Sequence, residues 1–153
     1  MIDVEIEDES WGRALPQALS LVAAAATAAL AGAARSGGVT VLLADDAAVA
    51  DLNNRFRAMP GPTNVLSFPA AENPERHLGD VALAYGVCAR EAAEQGKSLA
   101  AHLQHLVAHG VLHLVGYDHE TDADAKAMEG LERVVLAGLG VSDPYGGEQG
   151  DDG

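Results

Sequence analysis

The sequence predicts an α/β (α+β) fold: a mixed, largely parallel sheet of about four strands packed with about five helices, with a histidine-bearing helix at its centre. Three observations predict it. Short apolar or alternating runs at 2–6, 39–43, 63–69 and 78–85 have the length and period of strands. The stretches between and after them have helical spacing of their apolar residues. Strands and helices alternate early in the chain, and helices alone fill its end. With 153 residues, 48% of them hydrophobic, the chain is long enough to bury one core. We read 1–145 as one domain and the glycine- and acid-rich 146–153 as a flexible tail.

In order, Ile2, Val4 and Ile6 alternate with acidic residues, which predicts a half-buried strand at or near an edge. Residues 11–35 read as one helix, with Ser10 as N-cap, Pro16 in an early turn, and Leu15, Leu19, Val22, Ala26 and Leu30 inward. Gly37-Gly38 ends it, and 39–43 is a buried strand. Asp45 or Asp46 caps a helix running to about Asn54, with Val49 and Leu52 inward. Residues 53–62 read as a loop carrying Arg55, Arg57 and Pro60-Gly-Pro62. The strand 63–69 is closed by Pro69, a loop covers 70–77, and the strand 78–85 follows. A helix over 86–95 stops at Gly96. Ser98 caps the next, which has Leu99, Leu103, Leu106, Val107 and Leu114 for the core, and a last helix over 122–137 turns Met128, Leu131 and Val135 inward, with Leu139 just beyond it.

The net charge of −14 argues against a generally basic nucleic-acid-binding face. The acid collects at 3–9, at 118–132 and after Asp143, which leaves room for a local basic patch around Arg55 and Arg57. The single cysteine, Cys88, excludes an intramolecular disulfide and reads as a small buried apolar residue. The acidic start is unlike an export signal, and the apolar run 21–34 is too short to span a bilayer. The expectation is a soluble, cytoplasmic protein with no membrane partner.

The most informative stretch is His109-Gly-Val-Leu-His113-Leu-Val-Gly116-Tyr-Asp118-His119. Histidines four apart are separated by about 400° of helix, so both rings leave one face a turn apart and can chelate one ion. His119 joins them only if the chain turns back after His113. Gly116 stands where that turn is needed, since glycine reaches the left-handed conformation that ends helices. Three imidazoles suit one zinc ion per chain and leave a fourth position open, the mark of a catalytic rather than a structural site. The spacing also matches the metzincin peptidases, in which a glutamate general base follows the first histidine. Here that position is Gly110, which cannot take a proton.

Several blocks of the chain together resemble one family. Leu52-Asn53 followed by Arg57, Pro62-Thr-Asn-Val-Leu-Ser-Phe-Pro69, Leu78-Gly-Asp80, His109 to His119 and the closing Asp143-Pro-Tyr145 are similar in kind and order to the YbeY endoribonucleases, or rRNA maturation factors. The resemblance runs from about Asp45 to Tyr145. It implies an α/β fold with a three-histidine zinc site and cleavage of single-stranded RNA. It also implies a part in ribosomal RNA maturation, including the 16S 3′ end, and in ribosome quality control, with the ribosome or a ribosomal protein as partner. Carried over by position, His109, His113 and His119 match the metal ligands and Arg57 the arginine associated with catalysis, while Ser67 and Asp80 fall in motifs expected to border the cleft. Ala58-Met59-Pro60-Gly61 departs from the family, where this loop is commonly richer in charge, lysine included.

Around this set, His105 lies a turn before His109 and reads as a further ligand, as a neighbour that supports one, or as a partly solvated histidine. Asp118 reads either as a carboxylate orienting an imidazole or as a cap for the next helix. The implied chemistry is metal-assisted phosphodiester cleavage. Zinc would lower the pKa of bound water from about 15.7 toward 7, and Arg57 would stabilise charge on the phosphate oxygens. The RNA 2′-OH is the alternative nucleophile. Two rival functions stand beside this one: a non-catalytic ribosome-associated factor with structural zinc, against which open coordination argues, and a metallopeptidase-like hydrolase, against which Gly110 argues.

Overall fold

A computed structural model of the chain describes residues 1–145. The tail expected at 146–153 lies outside the described residues. The elements are β1 (Ile2–Ile6), α1 (Glu9–Ala14), α2 (Ala18–Gly32), β2 (Gly38–Ala44), α3 (Asp46–Arg57), β3 (Val65–Pro69), β4 (His77–Ala84), α4 (Tyr85–Glu94), α5 (Leu99–Leu114) and α6 (Asp122–Gly138). The sheet order is β1-β2-β4-β3. β1, β2 and β4 run parallel, and β3 pairs antiparallel with β4. The mixed, mostly parallel α/β fold is as the sequence predicts.

The largest departure is the first helix. It is two, because Pro16 acts on the residue before it. A residue preceding proline is pushed out of the α region, and Leu15 sits at φ −131, ψ 88 as the C-cap of α1. Asp8, not Ser10, caps α1 by accepting from the Ser10 amide. The break rotates the inward face of α2 to Ala18, Val22, Ala25, Ala26, Ala29 and Leu30, so that Leu19, expected inward, is 54% exposed. The small side chains let α2 pack closely, and a Cβ on Gly32 would come within 2.9 Å of Val135 on α6.

Alternation along β2 and β4 divides the interior in two. Val39, Val41, Leu43, Val81 and Leu83 face the main core with α2, α5 and α6. Leu66, Ala82, Ala44 and Ala84 face the smaller one under α3, where Val49 is buried. Trp11 is fully buried, donates from its indole nitrogen to the Ala44 carbonyl (2.9 Å) and packs edge-on against Tyr85. Cys88 is buried, and burial, followed by the neighbouring Glu91 charge, pushes its thiol up to about 12. It therefore behaves as an apolar residue.

The histidine helix, α5, is central as expected. Ser98 caps it by accepting from the Ala101 amide (3.1 Å). Leu103, Val107, Ala108, Val111 and Leu112 are fully buried. Its approach to the sheet is close because of Gly110. A Cβ there would meet Val81 Cγ1 at 2.8 Å, Ser67 Oγ at 3.2 Å and Val65 Cγ2 at 3.3 Å. The Ser67 hydroxyl donates to the Gly110 carbonyl (2.9 Å). The position that carries a base in metzincins is thus a contact surface with no room for a side chain. Gly110→Ala should lower the melting temperature of the chain: overpacking costs about 1–3 kcal/mol, against a helix-propensity gain of about 1 kcal/mol. A higher melting temperature would show that the sheet yields freely there.

Candidate metal centre

α5 ends at the point where the third histidine must turn back. Gly116 has φ +103. Its amide bonds to the His113 carbonyl (3.1 Å) and the Tyr117 amide to the Leu112 carbonyl (3.0 Å). This pair of bonds is a Schellman motif, which satisfies the last carbonyls of the helix and reverses the chain. The reversal brings His119 beside the two helical rings, with centroids 5.5 Å from His109 and 5.0 Å from His113.

One nitrogen from each of His109, His113 and His119 lies within 4.8 Å of the others. The Nε2 atoms of His109 and His113 are 3.1 Å apart. Zinc–nitrogen bonds of about 2.0–2.1 Å in a tetrahedral shell would hold such nitrogens about 3.3 Å apart, so the donor set fits a small divalent ion. His113 is kept below the usual histidine pKa by burial first, then by His109 and His119. A neutral imidazole is the form that binds a metal.

The rings open onto a cleft of about 630 Å³ whose opposite wall is the end of α3, the following loop and β3. Arg57 and Ser67 line it together with the three histidines. Arg57 was expected in a loop. It is instead the last residue of α3, and Ala58 follows in the left-handed region at φ 54. Asn53 holds the chain beyond it: its side-chain amide donates to the Gly61 carbonyl (3.0 Å), and its own carbonyl accepts from the Met59 amide (3.3 Å). Arg55, Arg90 and Arg133 are paired with Asp51, Asp46 and Asp143. Among the described residues Arg57 has no such partner.

Two other expected site residues, Asp80 and Asp118, stand elsewhere. Asp80 was expected at the cleft, but it alternates with Val81 and so points to the α3 side of the sheet, away from α5. It bonds His77 Nε2 (2.9 Å) and does not line the cleft. Asp118 neither orients an imidazole nor caps α6: its carboxylate accepts from the Glu120 amide (3.2 Å), and Thr121 is the cap. His105 is not among the converging nitrogens, so of its three readings the structure favours the neighbour that supports a ligand, through Glu132 and His109. Its Nε2 bonds Glu132 (2.9 Å).

Glu132 is the residue that the sequence reading missed. It has no exposed surface, and its other carboxylate oxygen bonds His109 Nδ1 (2.8 Å). Burial raises its pKa, but the hydrogen bonds from His105 and His109, the charge of His109 and the Tyr145 hydroxyl outweigh this and lower it to about 2. The available signal was position: with Met128, Val135 and Leu136 it occupies the inward face of α6, where a carboxylate needs a reason. Among the described residues no helix is long and apolar enough to cross a membrane.

The chain is similar over nearly its whole length to one family of proteins. The family model described as Endoribonuclease YbeY matches residues 2–140. A protein of Maricaulis maris named Endoribonuclease YbeY is 48% identical over 149 residues, covering 96% of this chain and 92% of its own. One of Azorhizobium caulinodans with the same name is 49% identical over 152 residues, covering 94% and 95%. A Thermotoga maritima protein solved in solution shares the fold, with a TM-score of 0.61 at 24% identity over 99% of this chain and 93% of its own. The match spans both walls of the cleft and all three converging histidines, and the chain belongs to the endoribonuclease YbeY family.

Proposed function

We propose that the chain is a metal-dependent endoribonuclease that cuts single-stranded RNA at the three-histidine centre and acts on ribosomal RNA in the cytoplasm, with the ribosome or a ribosomal protein as partner. The observation that carries the reading is the convergence of His109, His113 and His119 on a cleft whose facing wall holds Arg57. Family membership supports RNA as the substrate.

The roles follow from the chemistry of each side chain. His109, His113 and His119 would hold one ion, for which zinc suits three imidazoles best. An ion held there would supply Lewis-acid chemistry toward a phosphate oxygen and the nucleophile. Arg57 offers a planar, permanently charged fork of donors to the phosphate oxygens. Ser67 has its proton committed to the Gly110 carbonyl and serves to seat α5 on the sheet. Glu132 is fully buried behind His109 and does not line the cleft, so it is not a substitute for the missing peptidase base.

The reading is tested by incubating the purified chain with a labelled single strand and with the same strand annealed to its complement, each with and without a chelator. Cleavage of the free strand alone, lost on chelation, is expected. Equal cleavage of the duplex, or cleavage indifferent to the chelator, would contradict it.

A further inference from the structure

Glu132 is a fully buried carboxylate whose lone pairs are met by the histidine cluster and by Tyr145. A carboxylate inside an apolar core is expensive unless its lone pairs are met, and replacing a buried ionic group with apolar residues of similar size is often neutral or stabilising. Glu132 is fully buried between Met128 and Leu136 on α6. Three donors converge on it. His105 Nε2 and the Tyr145 hydroxyl reach Oε1 at 2.9 and 2.7 Å, and His109 Nδ1 reaches Oε2 at 2.8 Å. Among the described residues no lysine or arginine bonds it.

The contact with His109 has a consequence for the ring. A carboxylate that accepts from Nδ1 holds a proton there, and in the neutral ring, the form that binds a metal, Nε2 is then bare. Nε2 is the atom that stands 3.1 Å from His113 Nε2. Glu132 thus holds the ring at the angle, and in the tautomer, that a metal ligand needs.

Tyr145 then holds Glu132. It comes from the segment after α6, and that segment is itself fastened: Asp143 accepts from the Tyr145 amide (2.8 Å) and pairs with Arg133 (3.1 Å), whose guanidinium lies 5.2 Å from the Tyr145 ring centroid. The Tyr145 ring also packs edge-on against His105. The closing Asp143-Pro-Tyr145 is therefore built onto the back of the histidine cluster, on the side away from the cleft.

We propose that Glu132 and Tyr145 are positioning residues of the metal centre, Glu132 fixing His109 with Nε2 toward the other two imidazoles and Tyr145 fixing Glu132, so that the segment after α6 is a working part of that centre. The inference rests on the reading of the three histidines as metal ligands.

The test is zinc affinity of the full chain, measured by competition with a chromogenic chelator, together with the visible spectrum of the cobalt(II)-loaded protein. Loss of a carboxylate that orients a metal-binding histidine typically costs about 10–100-fold in metal affinity. Glu132→Gln keeps the shape of the side chain and should bind zinc more weakly by that factor, with a shifted cobalt spectrum and an apo melting temperature below that of the unaltered chain, since charge-assisted hydrogen bonds are lost. Tyr145→Phe removes one hydroxyl and touches no ligand; it should weaken zinc binding several-fold in the same direction. The double variant should be no worse than Glu132→Gln alone, because Tyr145 acts only through Glu132. If Glu132→Gln does not fold, Tyr145→Phe carries the test by itself. Wild-type zinc affinity in both variants, or additive losses in the double variant, would overturn the proposal. An unaltered chain that binds no zinc would instead overturn the metal assignment beneath it.

Discussion

Replacing His113 with alanine is expected to abolish metal-dependent RNA cleavage and to remove the stabilisation that zinc confers on the fold. His113 closes a triangle with the other two rings, 4.6 Å from the His109 centroid and 5.0 Å from that of His119, which are 5.5 Å from each other. Without it two imidazoles remain, one of them on the exposed side of a turn, and a pair of neutral ligands holds zinc far less tightly than three. The unfolded chain lacks the reversal at Gly116 that assembles the site, so metal binding is coupled to folding. At zinc concentrations of 100 times Kd the folded state gains about 2.7 kcal/mol, which for a chain of this size is roughly 5–10 °C in melting temperature. The wild type should show that rise on adding zinc, and His113→Ala should not. A variant that retained full cleavage and metal content would remove His113 from the centre.

Arg57→Ala is expected to slow cleavage by about 10²–10³-fold, the usual loss when one donor is taken from a preorganised site that meets developing charge. Phosphodiester cleavage builds negative charge on the phosphate oxygens as the nucleophile arrives. An arginine across the cleft gains interaction as the reaction proceeds, which is the condition for accelerating chemistry rather than only tightening binding. The side chain is exposed, lines the cleft and has no ion-pair partner among the described residues. Its backbone is held by α3 on one side and by the Asn53 contacts to Met59 and Gly61 on the other. Zinc content and melting temperature should therefore stay close to wild type, apart from the few tenths of a kcal/mol that a cation at a helix C-terminus contributes, about 0.3–1 kcal/mol at most. Arg57→Lys should recover part of the rate, since an ammonium lacks the planar fork. The measurement is single-turnover cleavage at saturating RNA. Equal rates for Arg57→Ala and wild type there, with a difference only in affinity, would make Arg57 a binding residue.

The parts of this architecture that were legible in the sequence are those set by local chemistry. Alternation marked the first strand and short bounded runs the other three, Ser98 and Gly116 marked the ends of the histidine helix, and the four-residue spacing put His109 and His113 on one face. What was not legible depended on partners distant in the chain. Pro16 looked tolerable in an early turn, yet its effect on Leu15 split the helix and turned Leu19 to solvent. Arg57 looked like a loop residue because Pro60 and Pro62 follow closely, but α3 runs through Phe56 and Arg57 to a left-handed alanine. The loop's anchor is the Asn53 side chain rather than its prolines. Asp80 sat in a recognisable motif, and only the strand register shows which face it takes. Asp118 was adjacent to a histidine in sequence, whereas the carboxylate that reaches an imidazole, Glu132, arrives from the next helix. Proximity along the chain was a poor guide to support of the cluster.

We propose the three-histidine site as the catalytic centre and not a clip. It is tested most directly by measuring bound zinc and single-stranded RNA cleavage on the same samples while zinc is titrated into chelator-stripped protein. Cleavage should rise in proportion to bound zinc and saturate at about one ion per chain, the stoichiometry that one three-imidazole site allows. Zinc that binds and raises the melting temperature while cleavage stays absent, or cleavage already complete before zinc is added, would contradict it.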